Sequence, residues 1–183
     1  MKNSIRYSVL LLYGVLAALP ASAQPAPLPD AWLGEWHGSM VNLTPSDTSA
    51  AIPVQLRLTR LPDGVYQFRT VYNDDEQLGL RDYRLIPDDR TAGRFILDEQ
   101  NGIRLHAQLI AGELITSFQV GDQALVSRYA INQDDQLVHD ILFWSTNEPL
   151  VTTGTGIAGE GGQPVHTFMP VGVQRTVFSK QLR

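Results

Sequence analysis

The chain contains no cysteine. That excludes disulfides, thiolate zinc sites, cysteine nucleophiles and a lipid anchor on cysteine. Positive charge is scarce as well: 14 Lys and Arg stand against 19 Asp and Glu in 183 residues. Without a basic surplus to neutralise phosphates, nucleic acid is not an expected partner. Helical periodicity is missing too. From Trp32 onward no window keeps an apolar three–four spacing for three turns. What is present is 43% hydrophobic and 18% charged residues, the balance of a globular chain rather than a disordered one. The length suits one domain.

The first 23 residues read as a cleavable secretory signal. Lys2 and Arg6 precede an apolar run from Val9 to Leu19, then Pro20 and the small-residue site Ala21-Ser22-Ala23. The run is short for a membrane span, and no second apolar run is longer. The segment is short and alanine-rich in the bacterial manner. The expectation is therefore export to the periplasm or the medium, with no stable membrane insertion after cleavage. Residues 24–31 form a proline-rich leader that is expected to tether nothing.

The remainder, 32–183, reads as a single domain of short strands. Runs of alternating apolar and polar residues fall at 32–43, 52–61, 65–73, 78–86, 94–98, 103–110, 113–120, 124–131, 136–144 and 171–180. Tight-turn residues separate them, for example Pro62-Asp63-Gly64, Gln100-Asn101-Gly102 and Ala111-Gly112. About ten strands, each polar on one face and with no helix to cover the other, bury themselves most economically by closing. The expected fold is an all-β, antiparallel up-and-down barrel, with a two-sheet sandwich as the alternative. One long connection, 145–170, is rich in Gly and Thr and is expected to lie over an open end as a lid.

The first strand carries Gly34-Glu35-Trp36. This Gly-x-Trp resembles the first-strand signature of the calycin superfamily, the lipocalins, fatty-acid-binding proteins and nitrobindin-like barrels. The resemblance implies that Trp36 plugs the closed end and that a cation near the end of the last strand lies across its indole. Arg175, between Val173 and Val177, is the expected cation. A second lipocalin signature near mid-chain has only a loose echo in Arg81-Asp82-Tyr83.

Period two then sets the lumen. With Trp36 inside, Met40 follows it, and His37 faces out. The expected ligand-binding residues are Phe68, Thr70, Tyr72, Phe95, Thr116, Phe118 and Tyr129, with Ser127 and Val173 among the further inward positions. Aromatic walls with a few hydroxyls suit a small apolar or amphipathic ligand.

Other signals point to less. Gly154 to Gly159 spells G-x-G-x-x-G, but no helix follows and no acidic residue lies at the required distance. Of four histidines, none pair at metal spacing, and His139 and Asp140, as strand neighbours, face opposite ways. His166 lies on the long connection. The nitrobindin resemblance implies haem ligation by a His near the C-terminal strands, and His166 stands in that place; no other cofactor or metal is expected. No nucleophile elbow occurs, and no catalytic residue stands out. The leading expectation is a secreted binding or carrier barrel rather than an enzyme. The alternatives are a haem barrel using His166 and a filled barrel acting through its surface on a partner. The ligand and the oligomeric state are left open.

Overall fold

Alternating strands joined by tight turns dictate a succession of hairpins, and the computed structural model is built that way. It describes residues 27–44, 50–88, 91–154 and 162–181. The expected signal, 1–23, lies outside the described residues, as does the G-x-G-x-x-G stretch from Thr155 on. A three-residue 3-10 turn, Asp30–Trp32, precedes twelve strands. These are β1 (Gly34–Leu43), β2 (Ile52–Arg60), β3 (Tyr66–Tyr72), β4 (Leu80–Pro87), β5 (Arg94–Asp98), β6 (Arg104–Ile110), β7 (Glu113–Val120), β8 (Gln123–Ile131), β9 (Leu137–Ser145), β10 (Leu150–Thr153), β11 (Pro164–Thr167) and β12 (Pro170–Lys180).

Ten of them close into one barrel, in the order β1-β12-β9-β8-β7-β6-β5-β4-β3-β2. The barrel pairs described are antiparallel, so the sheet is a closed up-and-down barrel rather than a sandwich. Turn chemistry supports the connections. Ala111 and Gly112 both hold positive φ, 50° and 84°, between the paired ends Ile110 and Glu113. That is the geometry of the two-residue turn that matches strand twist.

The long connection differs from its expected form. It contains β10 and β11, which pair with each other in a separate two-stranded ribbon and are exposed throughout. Thr and Gly made the segment read as loop, and strands of four residues carry too little alternation to announce themselves.

One end of the barrel is packed solid. Leu28, Trp32, Trp36, Leu58, Tyr66, Phe95, Leu137 and Phe178 are each no more than 2% exposed. Gly34 enters β1 with φ of 127°, a conformation glycine adopts freely, and Trp36 two residues on is buried. The Trp36 Nε1–H donates to the Trp32 carbonyl at 2.8 Å. Tyr66 meets Phe95 edge-on, with centroids 6.5 Å apart.

Two expectations for this end are corrected. The cation over Trp36 is Lys180, whose Nζ lies 5.1 Å from the ring centroid and donates to the Ala31 carbonyl at 2.8 Å. Arg175 pairs in register with Val41, on the outer face, and donates from Nε and Nη2 to both oxygens of Asp140 at 2.7 and 3.0 Å. The inward residues of β12 are Gly172, Gln174, Thr176 and Phe178, so Val173 also faces outward. The leader is the other correction. Leu28 is 1% exposed and its backbone N–H donates to the Tyr66 hydroxyl at 3.1 Å, so the packed core begins ahead of Trp32.

Candidate ligand cavity

Above the packed end the barrel is hollow. The cavity measures about 410 Å³. Its floor is made by two rings that meet across the lumen. Phe68 comes from β3 and Tyr129 from β8, on opposite sides of the barrel, and their centroids lie 5.1 Å apart at 76°. Such edge-to-face contacts add to the burial of each ring.

The sequence positions the walls through period two. Phe68, Thr70 and Tyr72 line one side from β3, with Gln67 and Arg69 between them. β4 adds Arg81, Tyr83 and Leu85; β5 adds Leu97, with Glu99 just beyond its end; β6 adds Leu105 and Ala107. Across the lumen, Leu114, Thr116 and Phe118 come from β7, Ser127 and Tyr129 from β8, His139 and Ile141 from β9, and Gln174 from β12. Met40 of β1 completes the ring. Polarity is therefore unequal. The β5 and β6 side is aliphatic up to Glu99, whereas Thr116, Ser127, His139 and Gln174 bring hydrogen-bonding groups to the β7–β12 side.

Of the seven expected ligand-binding residues, six line this cavity: Phe68, Thr70, Tyr72, Thr116, Phe118 and Tyr129. Phe95 does not. It is fully buried, its ring turned onto Tyr66 in the packed end. His166 does not line it either. It sits exposed on β11, paired with Val151, so an iron held there would lie outside the barrel. None of the described residues of β10 or β11 lines the cavity wall, and residues 155–161 of the expected lid lie outside the described residues.

The residue missed by sequence reasoning is His139. It is 7% exposed, and its ring stacks on Tyr129, with centroids 3.8 Å apart and planes 5° from parallel. Its Nε2 lies 3.0 Å from the Ser127 Oγ. Burial pushes its pKa down to about 4, against a smaller opposing pull from Asp140, so the imidazole is neutral near pH 7. Asp140 itself faces outward to Arg175 and, at 3.7 Å, Arg128. A cross-strand signal for this arrangement exists: opposite charges at paired positions share a face, so Asp140 and Arg175 facing out put His139 in.

Three tyrosines crowd the lumen. Burial raises the hydroxyl pKa of Tyr72, with Arg81 opposing. It does the same for Tyr83, where Glu99 adds to the rise and Arg81 opposes it. Tyr129 is raised furthest, by burial first and then by its neighbours Tyr72 and Tyr83. All three stay protonated donors at neutral pH. Arg81, near the start of β4, and Glu99, one residue past the end of β5, line the cavity at its open end. The Arg81 Nη1 donates to the Leu78 and Leu80 carbonyls at 3.1 and 2.8 Å, which fixes its guanidinium at the mouth. Among the described residues, no cluster of three potential metal ligands occurs.

No protein-family model matches the chain, and no curated protein sequence matches it significantly. Solved structures do resemble it. One is a protein of unknown function from the DUF3598 family of Nostoc punctiforme PCC 73102, with a TM-score of 0.57 and 14% identity. The match covers 90% of this chain and 53% of that one, so this chain spans about half the neighbour's length. Another is an S-type phycobiliprotein lyase, CPES, from Guillardia theta, with a TM-score of 0.51 and 7% identity over 84% of this chain and 90% of that one. At these identities the likeness is one of fold: the chain has a closed antiparallel β-barrel in common with them.

Proposed function

We propose that the protein is an exported binding or carrier barrel that holds a small apolar or amphipathic molecule in its lumen. The observation that carries this reading is the cavity of about 410 Å³ above the Phe68–Tyr129 floor. Its size and its mixture of aromatic walls with few polar groups are those of small-molecule sites. Affinity comes from burying the ligand against Phe68, Tyr72, Phe118 and Tyr129, at roughly 25 cal/mol per Å² of apolar surface removed from water. Thr70, Thr116 and the tyrosine hydroxyls orient it. Export rests on the sequence of residues 1–23. The barrel in common with a phycobiliprotein lyase adds a bilin to the ligands worth screening.

Native mass spectrometry of the protein purified from its own cell envelope is the test. A non-covalent adduct of lipid-like or pigment-like mass is the expected result. A bare polypeptide mass, with no uptake of any amphipathic probe afterwards, overturns the proposal.

A further inference from the structure

The cavity has two polar stations at different depths, and they differ in charge. The deep one is the Ser127–His139 pair. His139 is buried, clamped by its stack on Tyr129, and turns Nε2 towards the Ser127 Oγ at 3.0 Å. Ser127 is the more accessible partner: it lines the cavity and is only half-buried. The shallow station is the mouth, where Arg81 is exposed and Glu99 half-buried.

The deep station is uncharged in either tautomer. With hydrogen on Nε2, the imidazole donates to Oγ and frees the serine O–H to donate into the lumen. With hydrogen on Nδ1, the serine O–H donates to Nε2 and leaves Oγ lone pairs facing the lumen. The pair thus offers one hydrogen bond as donor or as acceptor, which suits a carbonyl or a hydroxyl. It has no positive charge to set against a carboxylate or phosphate. An anion driven to that depth loses its water without gaining a counter-ion, and that is expensive. At the mouth, by contrast, a charged group keeps its water and meets Arg81 or Glu99.

We infer that the ligand enters with an uncharged, oxygen-bearing end leading, that this end hydrogen-bonds Ser127, and that any charged group it carries stays at the mouth beside Arg81 and Glu99. The ligand class is a neutral ketone, aldehyde, ester or alcohol at its inner end, with an apolar body and an optional ionic head. His139 is then a positioning residue that acts through Ser127. This inference rests on the carrier reading and deepens it.

Calorimetric titration with two ten-carbon probes, 2-decanone and decanoate, tests it. The readout is the ratio of the two affinities. Ser127→Ala should lower the ketone-to-carboxylate ratio about tenfold, since one hydrogen bond of this kind is worth roughly that factor. Arg81→Gln should raise the ratio, by about threefold, because an exposed charge at the mouth contributes modestly. His139→Phe, which keeps a ring to stack on Tyr129, should shift the ratio in the direction of Ser127→Ala. A ratio that Ser127→Ala leaves unchanged, or one that Thr116→Val shifts in its place, overturns the inference while the carrier reading stands. Failure of the unsubstituted protein to bind either probe overturns the inference, and the carrier reading falls with it only where the native mass is also bare and no amphipathic probe is taken up.

Discussion

Lys180 lies over the indole of Trp36, its Nζ 5.1 Å from the ring centroid, and the same ammonium donates to the Ala31 carbonyl. One cation thereby ties the last strand to the plug of the first and to the 3-10 turn that seals the end. Lys180→Met keeps the apolar stem but removes the charge. It should destabilise the protein by about 1 kcal/mol. For a domain of this size that is a fall in Tm of about 2–4 °C, readable by calorimetry. Arg175→Ala, although it breaks a two-pronged pair, should cost no more than about 1 kcal/mol, because the guanidinium is 48% exposed. The opposite ranking would return the closing role to Arg175.

Leu28 makes the second prediction. It is buried among the closed-end residues, yet it stands between Pro27 and Pro29 in a segment that reads as a linker. Leu28→Ala should cost about 2–5 kcal/mol, the range for deleting a buried leucine side chain. A denaturant midpoint that does not move would show the leader to be detachable.

His139 predicts a pH dependence. Its ring titrates near 6.5 in an unfolded chain and at about 4 in the fold, so the unfolded state binds more protons between those values. Stability tied to this group is full above about pH 6.5 and is lost as pH falls towards 4. The sum is about 3 kcal/mol at full effect. Tyr129 from β8 and Thr176 from β12 are its uncharged neighbours, and Asp140, on its own strand, points away to Arg175 and Arg128. Urea melts from pH 7 to pH 4 should therefore flatten in His139→Phe relative to the parent protein. Parallel curves would place the proton elsewhere.

Phe118 lines the cavity from the outer part of β7 and is only half-buried. Phe118→Arg puts a long cation into the apolar passage, with the mouth near enough for its head to reach water. Binding of decanoate and 2-decanone should be lost while the circular dichroism spectrum is retained. Undiminished binding would move the ligand out of the lumen.

The strands, their antiparallel succession and the closed barrel were legible because most strands alternate cleanly. In β3, Tyr66, Phe68, Thr70 and Tyr72 face in while Gln67 and Arg69 face out, and the expected lining from this strand is the observed one. Legibility ends at β9 and β12, where both faces are apolar. Leu142, Val171 and Val177 point outward and are 39%, 43% and 38% exposed, beside inward Leu137, Ile141 and Phe178. Period two has no purchase on such strands, and a slip of one residue reverses every side chain. That slip explains three misplacements at once: Val173 and Arg175 taken as inward, and His139 passed over. Phe95 fails for a different reason. Its face was right, but depth along the barrel depends on stagger between strands, which a single sequence does not reveal.

The seam between β1 and β12 has a consequence for how the molecule is made. Lys180 and Ala31 touch across 149 residues, and the final eleven-residue strand is the piece that joins both free borders of the sheet. Until it arrives, a growing chain is an open ribbon with two unpaired margins. High contact order makes that last step slow, and exposed margins invite pairing between molecules. Loss of the C-terminal strand would therefore yield self-association rather than a smaller barrel.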